Sequence, residues 1–249
     1  MHIVAHRGAA GLAPENTLAS FREAIRLGAD WLEFDVRLTH DGLPVVIHDP
    51  TLKRTTTGKG TVRSRTLAEI RKLDAGSWFD GRFSGEKVPT LDEVLKLGGK
   101  VRLNIEIKSN CAPASEAAQA VWSRVQSADL QDRTLITSFD PLILKAVRDI
   151  DPAAHLGFPW QSGLRDPVRR ALSLKSRMML LEVGGLSEKK VRRCREVGLH
   201  VWVYTVNEPE DMGRVLDLGV DALITDRPDL LARMLHREPA PNHAATPGR

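Results

Sequence analysis

The chain has 249 residues, 42% of them hydrophobic and 27% charged, with a formal net charge of +4. That size supports one large core and is usual for a single α/β barrel, and the composition argues against disorder; the two cysteines, Cys111 and Cys194, lie far apart in unrelated contexts and support neither a disulfide scaffold nor a zinc site. No dense basic run interleaved with aromatics, no signal-peptide pattern and no run of eighteen apolar residues occurs, so the expectation is a cytoplasmic protein with no nucleic-acid partner and no stable membrane association.

Residues 2–5 read as a short buried strand ending in His6-Arg7-Gly8. After a glycine-bearing stretch a helix begins near Asn16 or Thr17, with Leu18, Phe21 and Ile25 inward and Gly28 at its end. The next stretch, WLEFDVRLTHDGLPVVIHDP over 31–50, organises the chain. Two runs of apolar and β-branched residues flank Asp41-Gly42, a strong hairpin signal. A two-residue turn there sets His40 opposite Leu43 and, counting outward, Asp35 opposite His48; Glu33 and Asp35 share a face by the period of two. The polar segment 54–65 reads as an excursion over one end of the fold, part of an insertion spanning about 51–85, with Lys53 and its neighbours up to Thr57 near the mouth of the site. Short helical turns are expected over 66–73 and 90–97, and between them Trp78 and Phe79 are either a satellite core or a lid.

Residues 101–108, VRLNIEIK, form the next strand. The rhythm then becomes regular, with strands over 134–138, 155–158, 178–183, 200–206 and 221–225 and helices over 113–128, 140–149, 166–175, 187–198, 207–219 and 228–235. Ser187 caps one helix, with Leu186 and Val191 as a hydrophobic staple, and Asn207 with Glu210 reads as a capping box on the next but one element. Setting aside the return arm 45–48 leaves eight strands, each followed by a helix, which favours a closed (β/α)₈ TIM barrel over an open doubly wound sheet; no Gly-x-Gly-x-x-Gly follows an early strand. One catalytic domain over 1–236 and a mobile tail over 237–249 are expected.

The ends of barrel strands converge on one face. That places His6 and Arg7, Glu33 and Asp35, and Glu106 and Lys108 on consecutive strands, roughly 4.8 Å apart. Three carboxylates so close can share one cation, and hard oxygen donors suit Mg²⁺ or Ca²⁺ better than zinc. Arg7 and Lys108 beside them, with two histidines, make a layout for phosphate-ester transfer. Singly, His6 is explained as a satisfied strand-end histidine, Lys108 as a snorkelling residue, Glu106 as its ion-pair partner and Asn104 as a satisfied buried polar group. Their gathering at one end of consecutive strands favours the functional reading.

Seven segments, HRG (6–8), PENT (14–17), Glu33-Phe34-Asp35, LTHDGLPVVIHD (38–49), NIEIK (104–108), YTVN (204–207) and ITD (224–226), together closely resemble the bacterial cytoplasmic glycerophosphodiester phosphodiesterases, in order over residues 3–230. The resemblance implies a TIM barrel with a small insertion after the hairpin, one divalent cation held by Glu33, Asp35 and Glu106, an acid/base pair of His6 and His48, and phosphate contacts from Arg7 and Lys108. Tyr204 and Phe139 are candidate pocket-wall residues. Members often have Pro where this chain has Ser109 and Trp where it has Tyr204, which alters the wall but removes no charged group. The implied reaction cleaves a small-molecule glycerophosphodiester to sn-glycerol 3-phosphate and an alcohol, through a cyclic phosphate, with His6 as first base and His48 as first acid. The alternatives are a lysophospholipase D or phosphoinositide-type phospholipase, for which Trp78, Phe79, Phe83 and Trp160 are scattered apolar candidates, and a non-catalytic barrel acting as a binding module.

Overall fold

The computed structural model describes residues 1–160 and 166–237; all of the expected tail beyond Arg237 lies outside the described residues. In chain order the elements are β1 (His2–Ala5), α1 (Leu18–Arg26), β2 (Trp31–Leu38), β3 (Pro44–Val46), α2 (Leu67–Ile70), α3 (Leu91–Leu95), β4 (Arg102–Ile107), α4 (Ala114–Ser127), β5 (Thr134–Thr137), α5 (Pro141–Ile150), β6 (His155–Pro159), α6 (Pro167–Ser173), β7 (Met178–Glu182), α7 (Glu188–Glu196), β8 (His200–Tyr204), α8 (Pro209–Asp217), β9 (Ala222–Thr225) and α9 (Pro228–Met234). β1 pairs in parallel with both β2 and β9, which closes eight parallel strands into a TIM barrel, and β3 lies antiparallel on β2 as an extra strand. Among the described residues no helix is long and apolar enough to cross a membrane.

Local chemistry explains most boundaries. The Thr17 side chain accepts from the Ser20 amide to start α1, and Thr66 and Thr90 form full capping boxes with Glu69 and Glu93. α5 and α6 each begin with Asp followed by Pro, a capping acceptor and then a residue whose missing amide costs nothing at that position. Alternation along the strands separates two cores. Val4, Trp31, Leu135, Leu180, Trp202, Ala222 and Ile224 fill the barrel interior, where the Trp31 and Trp202 rings meet edge to face at 4.9 Å. The opposite face of each strand packs under the helices, with Trp122 fully buried there. A third cluster, including Val45, Ile47, Leu52, Ile70 and Val88, anchors the insertion.

Two expectations are corrected. The hairpin register is Val36 to Val46, Arg37 to Val45 and Leu38 to Pro44, so Asp35 lies opposite Ile47, whose amide it receives at 3.0 Å, rather than opposite His48. The cause is a three-residue loop: Thr39 pairs with Leu43, its hydroxyl engages Asp41 and the Leu43 amide, and Gly42 takes a left-handed φ of 73°. Asn207 does not cap α8, whose N-cap is Glu208 with no side-chain bond; Asn207 is instead committed to Asp226.

The link from β1 to α1 is held tightly. Arg7 and Gly8 have φ of 51° and 84°, and a Cβ on Gly8 would lie 1.9 Å from Ser20 Oγ and 2.7 Å from the Ser20 carbonyl carbon. Gly42 is equally left-handed, but a Cβ there meets nothing within 4 Å. Gly42→Ala is therefore expected to cost only the backbone term, about 1 kcal/mol, and Gly8→Ala markedly more. Urea denaturation of both variants checks this; equal losses would show that the Gly8 approach yields.

Candidate active site

Glu33 and Asp35 point into the barrel from β2, two residues apart, and the parallel register with β4 sets Glu106 beside Asp35. One oxygen from each of the three carboxylates lies within 4.8 Å of the others. Asp35 is 1% exposed. Burial alone would protonate it, but the Lys108 ammonium at 2.7 Å and the Arg7 guanidinium at 3.3 Å hold it well below the usual carboxylate range. Asn16 completes the shell from a left-handed conformation with φ of 57°: its amide nitrogen donates to Asp35 Oδ2 at 2.8 Å and its oxygen accepts from the Asp35 amide. Glu33 has less help. The Arg7 amide donates to it at 2.9 Å, yet burial and the Asp35 carboxylate push its pKa from 4.5 up to about 7. Glu106 is raised by burial and by Asp35 despite its contact with Lys108.

These residues fit a divalent cation. Three hard oxygen donors converge, and one is driven toward protonation by burial and by the like charge of its carboxylate neighbours. Glu33, Asp35 and Glu106 are the groups that would hold such an ion. Arg7 Nε is buried against Asp35 at 3.3 Å without an aligned hydrogen bond, so its contribution there is charge.

Each histidine is backed by its own carboxylate. Asp226, kept ionised below its usual range by its hydrogen bonds despite burial, can only accept, so His6 donates Nδ1–H to it at 2.7 Å and leaves Nε2 4.0 Å from Glu33. Burial opposes charge on His6, but Asp226 and Glu33 together outweigh it and its pKa lies above the ordinary imidazole value. Asn207 fixes Asp226, donating at 2.6 Å to Oδ2 and accepting its amide. His48 likewise faces Asp49 through Nδ1 at 2.7 Å. Its pKa is lowered, mainly by burial, with Lys108 offsetting the pull of Asp35.

A small cavity opens on this cluster. Its polar side is His6, Glu33, Asn104, Glu106 and Thr137, and its apolar side is Phe139, Pro159, Leu180, Tyr204 and Ile224. Phe139 and Tyr204 meet edge to face at 6.3 Å, so both expected wall residues come together. The Tyr204 phenol is held neutral by burial and by the Glu182 and Glu106 carboxylates. His48 borders a separate small recess with Glu15, Asn16, Thr17 and Thr55, and feels the acids through Asp35. The sequence pointed to no place in the site for Glu15, Asn16, Asp49, Arg54, Asn207 or Asp226, although all but Arg54 sit inside segments that carried the resemblance.

Known proteins match over nearly the whole chain. The profile of the glycerophosphoryl diester phosphodiesterase family matches residues 6–230. A glycerophosphodiester phosphodiesterase of Caldanaerobacter subterraneus subsp. tengcongensis is 38% identical over 237 residues, covering 94% of this chain and 98% of the relative. One from Bacillus subtilis is 36% identical, covering 93% and 85%. Among solved structures, an Oleispira antarctica phosphodiesterase in complex with the product sn-glycerol-3-phosphate superposes with a TM-score of 0.90 at 30% identity, covering 95% of this chain and 97% of the other.

The crowded acids make a prediction about stability. Glu33 binds its proton more tightly in the folded state, so its contribution is fully present below its ordinary pKa of 4.5 and is lost as pH rises through about 7. In chelator, the melting temperature of the wild type should fall across that window, and added Mg²⁺ or Ca²⁺ should recover it at pH 8. Glu33→Gln, which keeps an acceptor for the Arg7 amide, should show a smaller fall, what remains coming from Glu106 and His6, and a much weaker recovery. Calorimetry of both proteins with and without the ions decides; a cation response in Glu33→Gln equal to that of the wild type would remove Glu33 from the ion site.

Proposed function

The chain belongs to the glycerophosphoryl diester phosphodiesterase family, and we propose that it hydrolyses glycerophosphodiesters to sn-glycerol 3-phosphate and an alcohol with the help of one divalent cation, Mg²⁺ or Ca²⁺. The observation that carries this reading is the meeting of three carboxylates with a guanidinium, an ammonium and a carboxylate-backed imidazole at one end of the barrel. The product bound in the Oleispira neighbour supports the same product here. When bound, the cation supplies positive charge to the non-bridging phosphate oxygens.

The remaining work falls to the chain's own side chains. Arg7 and Lys108, the two cations beside the acids, orient the phosphate. One imidazole takes the proton of the substrate's 2-hydroxyl, whose oxygen bonds to phosphorus while the phosphorus–alkoxide bond breaks. The other imidazole protonates the departing alcohol oxygen. The nucleophile belongs to the substrate, so no second molecule has to be ordered for this step. Water then opens the cyclic phosphate with the two roles exchanged.

The surroundings of the rings favour an order opposite to the one expected from sequence. The charge of Asp226 is met by neutral Asn207 and by His6 itself, which favours imidazolium at His6. Asp49 is already neutralised by Arg54, and Lys108 adds positive charge near His48. We therefore assign His48 as first base and His6 as first acid. Cleavage of a membrane-bound lysolipid would be favoured by an apolar lip, but Phe79 packs edge to face on both Trp78 and Phe83, and the Trp78 indole donates to Ala75 within the insertion. Soluble diesters fit better.

The test compares kcat for glycerophosphocholine and for a glycerophosphodiester of a nitrophenol. His6→Ala and His48→Ala should each lower turnover of the first by about 10² to 10⁴-fold. The good leaving group should partly rescue His6→Ala and not His48→Ala. Rescue of His48→Ala alone restores the opposite order, and wild-type turnover in either variant removes that histidine from the reaction.

A further inference from the structure

Arg54 stands in the insertion, outside the barrel, with its side chain 42% exposed. Its guanidinium nevertheless spans two carboxylates. Nη1 and Nη2 donate to the two oxygens of Glu15 at 2.6 and 2.9 Å, while Nε and Nη2 donate to Asp49 at 2.8 and 2.9 Å. Each carboxylate has a second commitment. Asp49 Oδ1 accepts from His48 Nδ1 at 2.7 Å, and Glu15 Oε1 accepts from Arg7 Nη1 at 2.9 Å.

We propose that Arg54 is a positioning residue that aligns His48 through Asp49 and Arg7 through Glu15, so that one side chain of the insertion sets two groups of the reaction at once. This rests on the reading that His48 moves a proton and Arg7 contacts phosphate. Asp49 directly follows His48 and keeps 23% exposure, so without the fork it is free to turn toward water. The Nδ1–H tautomer of His48, and with it the direction of the Nε2 lone pair, depends on that carboxylate staying in place. Glu15 is more enclosed, at 12% exposure, and links Arg54 to Arg7 as a carboxylate between two guanidiniums. A planar fork can satisfy both carboxylates together, whereas a lysine ammonium is a point charge that cannot reproduce the paired bonds. Without Arg54, Glu15 still has Arg7 and Asp49 still has His48, so neither carboxylate is left unpaired and the loss should be felt in the reaction more than in the fold.

The experiment uses Arg54→Ala and Arg54→Lys in the metal-loaded protein. With glycerophosphocholine, both variants should lose roughly 10- to 100-fold in kcat while melting close to the wild type, and added guanidinium ion should restore part of the turnover of Arg54→Ala. Nitrogen-resolved imidazole spectra supply a readout independent of turnover: His48 should be a single Nδ1–H tautomer in the wild type and a mixture in Arg54→Ala. An unchanged His48 spectrum in Arg54→Ala, or wild-type kcat in Arg54→Lys, overturns the inference. Absence of any wild-type turnover of glycerophosphodiesters, with the His48 tautomer still dependent on Arg54, overturns the assigned reaction and not the positioning, which the spectra read directly.

Discussion

A single buried charge, Asp35, governs the architecture of this end of the barrel. At 1% exposure it remains ionised because Arg7 and Asn16 reach it from the link between β1 and α1 and Lys108 from the end of β4. The cost of bringing them is visible in the backbone. Arg7 and Asn16 are both left-handed without being glycine, conformations that cost on the order of 1 to 2 kcal/mol each. They persist because each is overdetermined: the Arg7 amide donates to Glu33, its carbonyl accepts from Asn16 and from Ser20 Oγ, and the Asn16 side chain bonds Asp35 twice. Gly8 then has to be glycine so that α1 can approach closely enough for Ser20 to take part.

The parts of this design that obey short periods were legible in the sequence. Alternation of two along residues 31–38 and 102–107 is sufficient to send Trp31, Glu33, Asp35, Asn104 and Glu106 to one face, and eight strand-helix alternations are sufficient to suggest closure. The hairpin turn was not legible to one residue. Asp-Gly serves a two-residue turn and also the last two places of a three-residue loop, and the choice is made here by the Thr39 hydroxyl bonding to Asp41 and to the Leu43 amide. A slip of one moves His48 off the ladder and makes its placement depend on Asp49 and Arg54 instead of on a cross-strand neighbour.

Partners distant along the chain escaped for a different reason. His6 and Asp226 are separated by 220 positions, and Arg54 and Glu15 by 39. Such pairs leave no periodic trace, and the local rules actively mislead at one of them. Asn207 before an apolar helical run, with an acid three residues on, satisfies the capping pattern, yet its side chain has a better bargain in holding the carboxylate that faces His6. The helix begins one residue later on Glu208 and Pro209, where the missing proline amide leaves one fewer group for a cap to satisfy.

The sum of charges at the centre defines what a bound divalent cation would change there. Glu33, Asp35 and Glu106 carry three negative charges when ionised, and Arg7 and Lys108 return two, so the five groups together repel a phosphodiester anion. A divalent cation on the three acids changes the sign of that sum from one negative to one positive. The Trp31 and Trp202 rings and the residues packed around them fill the barrel below the acids, and such low-dielectric surroundings would strengthen the attraction between the acids and a cation. The same ion that relieves the crowding of Glu33 would thus turn the cavity mouth from repulsive to attractive for the substrate. Affinity for a cation and affinity for an anionic phosphodiester would in this way be coupled through one buried set of carboxylates.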